Sequence, residues 1–181
     1  ASDLPGLRLV GSFGGYADLR NVVGYVTTGV HTFGGSRYVE RQEEYNRWKL
    51  LALLVGFVKE QRDRVLLQVI VGKKLANPAA DTAALERDLG EEGRRMLALV
   101  LNRRAEAVAP LLAQLPREAR EALDRLSPLS VVPRLQARLL IAHGAGDTSI
   151  PYTESQRLAE AAGGRARVTI FKSFHHTGPR W

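Results

Sequence analysis

The stretch RLLIAHGAGDTSIPYTESQRLAEAAG, residues 138–163, decides how this chain is read. It opens on an apolar run too short for a helix, and Gly144-Ala145-Gly146 ends it, which is the pattern of a buried strand. Beyond Ile150-Pro151 the pattern changes period. Leu158, Ala161 and Ala162 recur at helical spacing, and Gly163-Gly164 supply a stop. A second apolar run follows at residues 166–171. Strand, helix and strand in this order make a βαβ unit, whose strands lie parallel and whose sheet is covered by helices. A third run, residues 7–13, ends in Gly14-Gly15 and reads as one more buried strand.

Residues 36–128 carry helical periodicity and no confident strand, so the expectation is an all-helical insert. Its first helix is expected over residues 39–60, where Tyr45, Trp48, Leu51, Val55 and Val58 share a face. Asp63 is expected to cap a second helix ending near Lys74, and Asn77-Pro78 to begin another. Further helices are expected at 82–89, 92–103, 106–115 and 117–126. The division that results is 1–35, 36–128 and 129–181.

The 138–163 stretch resembles the α/β-hydrolase family. The residues that carry the resemblance are His143-Gly144, Asp147, Ile150-Pro151 and the helix after them, then a strand and the loop Phe174-His175-His176-Thr177-Gly178-Pro179. The resemblance implies an α/β fold: the C-terminal part of a hydrolase sheet, three parallel strands, with a large helical cap insert. It also implies a catalytic triad in which Asp147 is the acid and His176 the base. An acid and a histidine after adjacent parallel strands can meet, since such strands lie roughly 4.8 Å apart and collect chemistry at their carboxyl ends. A carboxylate there holds the imidazole in one tautomer and stabilises it as it takes a proton.

Each position has a plainer reading. Asp147 after a strand also fits a turn residue or an N-cap. His175 competes with His176, although the Thr-Gly-Pro behind His176 suits a fixed loop. His143 is expected to order the acid's turn by hydrogen bonding, and His31 has no evident partner. Asp18, after the first run, is the alternative acid, with an N-cap for a helix at 19–25 as its plainer role. Tyr45, Trp48 and Phe57 are candidates to line a substrate pocket, or else packing residues of the insert. Gly-x-Ser-x-Gly, the nucleophile elbow of the family, is not among the 181 residues; Gly11-Ser12-Phe13-Gly14 has its serine one place early.

The sequence reading is therefore a serine hydrolase acting on a carboxylic ester or similar small acyl substrate, in a chain without the nucleophile. The chain opens on Ala1 rather than methionine, so an N-terminal hydrolase segment is expected as its partner. The alternative is a non-catalytic module that binds a ligand or another protein.

Composition narrows the other classes. Net charge is +7, from 26 Lys and Arg against 19 Asp and Glu. The basic residues stand beside acidic ones without long runs or interleaved aromatics, so no nucleic-acid partner is expected. With no cysteine there is no disulfide or thiolate metal site, and the four histidines lack a recognised ligand spacing. No cofactor is expected. The longest apolar run, residues 50–58, falls short of the roughly 20 residues of a spanning helix, so no membrane span is expected. A cytoplasmic location is the accompanying expectation.

Overall fold

A computed structural model describes residues 6–172. It is mixed α/β, with three parallel strands, a separate hairpin and eight α-helices among the described residues. The chain forms two compact units. Among the described residues the first takes in 6–25, Val30–Glu40 and 123–172; the second comprises Val26–Gly29 and Arg41–Ala122.

In the first unit the sheet order is β1 (Leu9–Phe13), β4 (Arg138–Gly144), β5 (Ala166–Phe171), all parallel, with β4 central. The three runs expected as strands are the three strands. Their burial is less complete than expected. Leu139, Ile141 and His143 of β4 are buried, while Arg138 before them and Leu140 among them are exposed, the period-2 alternation of a sheet with one covered face. Phe13 on β1 and Phe171 on β5 are also exposed. The covered face packs on helix α8 (Tyr152–Ala162), and Leu139, Ile141, Leu158, Ala162, Val132 and Leu135 make its core.

Helix α1 (Leu19–Thr28) follows β1 and runs one turn longer than expected, to Gly29, whose φ of 75° suits the left-handed residue after a helix. Next comes a feature absent from the sequence reading, an antiparallel hairpin of β2 (Val30–Phe33) and β3 (Ser36–Val39). Residues 36–39 were expected to lie in the helical insert. Gly34 and Gly35 both take positive φ, 56° and 78°, and a two-residue hairpin turn of the type that matches strand twist needs positive φ at both places. The glycine pair thus folds the two short runs onto each other before any helix can begin.

The second unit is helical among its described residues: α2 (Glu44–Leu54), α3 (Gln61–Ala76), α4 (Ala83–Arg87), α5 (Glu91–Leu101), α6 (Val108–Ala113) and most of α7 (Arg117–Arg125). The first helix is shorter than the expected 39–60. The hairpin consumes its start, and at its end a single 3-10 turn, Val55–Phe57, leads to extended backbone at Val58. The Arg64 guanidinium donates from Nε (2.9 Å) and a terminal nitrogen (2.6 Å) to the Val58 carbonyl, satisfying a group the helix no longer reaches.

Two side chains here do other work than expected. Asp63 does not cap α3, where Glu60 accepts from the Arg62 amide instead. Its buried carboxylate accepts from the amides of Gly90 (2.6 Å) and Gly93 (2.7 Å) and so caps α5 from a distance of 27 to 30 residues along the chain. Asn77 does not begin a helix: its side chain accepts from the Ala79 amide in a local turn, and α4 starts only after Asp81 accepts from Ala83. Buried Arg47 donates to the carbonyls of Thr27, Val100 and Asn102, gathering acceptors from the C-terminal ends of two helices. No helix among the described residues is long and apolar enough to cross a membrane.

Candidate active site

Strand β4 delivers the chain into the Asp147 turn. The Ala145 amide donates to the Phe171 carbonyl at 2.8 Å, so the ends of β4 and β5 are fastened together as the turn begins. Asp147 Oδ1 then accepts from the amides of Ser149 (2.8 Å) and Ile150 (2.9 Å). A short acidic side chain two and three residues before the amides it accepts from forms this turn by local geometry alone. Asp147 is 1% exposed.

His143 sets the rest of the turn. Its Nε2 lies 3.0 Å from the Ile150 carbonyl and 3.3 Å from Asp147 Oδ2, and its Nδ1 lies 2.6 Å from Ser155 Oγ. A carbonyl can only accept, so Nε2 carries a hydrogen; in the neutral ring Nδ1 then accepts from the Ser155 hydroxyl. Hydroxyl, imidazole and carboxylate here stand in the order of a catalytic triad. All three are closed off from solvent, so no substrate reaches the Ser155 oxygen; the arrangement fastens the turn to α8. His143 therefore orders the acid's turn, as the sequence suggested.

Asp147 sits beyond the end of β4, and in register Gly144 pairs with Phe171, the last residue of β5. The chain thus leaves β5 beside the start of the Asp147 turn. His175 and His176 lie outside the described residues. Asp18 caps α1, its Oδ1 accepting from the Arg20 amide at 2.8 Å. Trp48 is buried within the helical unit, with the Lys74 ammonium 5.3 Å from its ring centroid. Tyr45 is half exposed beside Lys49, and Phe57 is partly buried. Gly14 takes φ 59° in a tight turn whose amide donates to the Ala142 carbonyl, and Ser12 Oγ fills the space where Gly15 would carry a Cβ.

Two groups escaped the sequence reading. Glu154, 1% exposed, accepts from the Ala17 amide (3.1 Å), the Asp18 amide (2.8 Å), Asn21 Nδ2 (3.0 Å) and Arg157 Nε (3.1 Å). It joins α8 to the turn before α1, across more than 130 residues of chain, and nothing local in the sequence signals that. The second is His31. Its ring is 6% exposed, stacked on Tyr38 and edge-on to Tyr25 and Tyr152, with Nδ1 3.0 Å from Thr153 Oγ1 and Nε2 3.5 Å from Glu40. Burial pushes its pKa below the ordinary histidine value against the pull of Glu40, with Arg157 acting in the same direction as burial. The Gly34-Gly35 pair was the available signal, since a hairpin there turns His31 and Glu40 toward each other.

Comparison of the sequence with protein-family models and with curated proteins returned no match.

Proposed function

We propose that this chain is the acid- and histidine-bearing part of a serine hydrolase of the α/β-hydrolase class, acting on a carboxylic ester or similar acyl substrate. One observation carries the reading: a buried carboxylate, fixed by two amides at the end of β4, beside the exit of the parallel strand that leads into His175-His176. In this mechanism a serine outside these residues attacks the acyl carbon and His176 takes its proton. The serine ester forms as the alcohol leaves with that proton, and water then releases the acid by the same route in reverse. Asp147 holds the imidazole in its working tautomer and stabilises it when charged. Ser149, Ile150 and His143 hold Asp147.

The competing reading, a module that binds without catalysis, is favoured by the lack of Gly-x-Ser-x-Gly in the sequence and by the use of Asp147 Oδ1 within its own turn. Fluorophosphonate labelling of the full gene product separates the two. The hydrolase reading expects one labelled serine, with turnover lowered on the order of 10⁴-fold by Asp147→Asn. A full-length product that neither labels nor turns over aryl esters would leave the binding module.

A further inference from the structure

His31, Glu40 and Tyr25 form a second polar cluster in the same unit, and it reaches the Asp147 turn through the Tyr25 hydroxyl. The Tyr25 phenol is fully buried. It lies 2.6 Å from Glu40 Oε2 and 3.0 Å from the backbone carbonyl oxygen of Asp147. Both of these are acceptors, and a phenol has one hydrogen to give. The two oxygens therefore compete for it. Glu40 Oε1 in turn lies 3.5 Å from His31 Nε2, and His31 Nδ1 meets the Thr153 hydroxyl of α8.

We propose that Tyr25 is a positioning residue for the Asp147 turn, and that the His31–Glu40 pair governs how firmly it holds that turn. With His31 neutral, the Glu40 carboxylate is the stronger acceptor and draws the phenol hydrogen to itself. A proton on His31 makes an ion pair with Glu40, lowers the carboxylate's demand and turns the phenol hydrogen toward the Asp147 carbonyl. The ring's surroundings set where this happens. Tyr25 faces it from α1, Tyr38 and Glu40 from the β3 arm, and Tyr152, Thr153 and Arg157 from α8. Among these only Glu40 favours the charged ring strongly, while Arg157 and burial oppose it. The exchange therefore belongs below the ordinary histidine pKa of about 6.5. Its catalytic meaning rests on the hydrolase reading; the coupling itself does not.

The Thr148 amide nitrogen shares its peptide group with the Asp147 carbonyl, so its ¹⁵N resonance reports hydrogen bonding to that oxygen. In an NMR titration of this chain the Thr148 resonance should move with the midpoint of the His31 ring. In Tyr25→Phe that movement should vanish while His31 still titrates. Glu40 is partly exposed, so Glu40→Gln is expected to fold even where Tyr25→Phe does not, and it should uncouple the two resonances in the same way. A Thr148 resonance that ignores His31 in the unaltered chain, or still follows it in Glu40→Gln, overturns the proposal. Coupling in a full gene product that lacks hydrolase activity would uphold the positioning role and sink the catalytic reading.

Discussion

Replacing Glu154 by glutamine looks conservative and should not be. All four partners of this carboxylate are donors: two backbone amides, the Asn21 amide and the Arg157 guanidinium. Ala17 and Asp18 donate to Oε2, and Asn21 and Arg157 to Oε1. Glutamine offers one acceptor oxygen and one NH₂, so either placement sets donor against donor on one side. Turning the amide oxygen to the backbone keeps those two bonds but removes the charge that roughly doubles their strength. Arg157 is a quarter exposed and also donates to Thr32, so its loss counts for little. What remains is about 2 kcal/mol for Glu154→Gln. Glu154→Ala leaves both backbone amides without a partner, at about 1–3 kcal/mol each, hence roughly 4 kcal/mol. Native-state hydrogen exchange reads this directly. Protection of the Ala17 and Asp18 amides should fall on the order of 30-fold in the glutamine variant, since about 1.4 kcal/mol is tenfold. Unchanged protection, with a urea midpoint equal to that of the parent chain, would refute the reasoning.

Asp63→Ala should cost about 2–4 kcal/mol, because the Gly90 and Gly93 amides lose their acceptor in a buried site. Urea melts followed by fluorescence of buried Trp48 measure it, and an unshifted midpoint would remove Asp63 from the account. The His31 ring is favoured neutral in the folded chain, so its contribution is complete above about pH 6.5 and is lost as pH falls through that value toward the lower folded pKa. The urea midpoint should therefore drop between pH 7 and 5 by more in the parent chain than in His31→Gln; equal drops would contradict this. The 181-residue chain by itself should show no serine-dependent turnover of an aryl ester, because a base without a nucleophile and oxyanion hole activates nothing. Turnover blocked by a fluorophosphonate would place the nucleophile within the chain.

What the sequence disclosed was local. The strands at Leu9–Phe13, Arg138–Gly144 and Ala166–Phe171, helix α8 and the Asp18 cap are each written in a few consecutive residues. The Asp147 turn is equally local, since Ser149 and Ile150 are its own next neighbours. Strands of four residues with no long alternation do not announce themselves, so the hairpin escaped notice although Gly34-Gly35 stood between its arms. Asp63 was misplaced for a different reason: an acidic residue near a helix start fits an N-cap locally, and only the packed structure brings α5 within its reach. Glu154 and the Tyr25 bridge to Asp147 join residues more than 120 apart, a separation no periodicity encodes.

The central claim is that Asp147 serves a histidine in the loop after β5. It is tested most directly by titrating His175 and His176 by NMR in the parent chain and in Asp147→Asn. A buried carboxylate beside the ring favours its charged form, so the His176 pKa should stand above the ordinary value and fall by about one unit or more in the variant. If His175 responds instead, the base is the neighbouring residue and the pairing stands. If neither histidine moves between the two chains, Asp147 is only the fastening of its own turn, and the hydrolase reading fails.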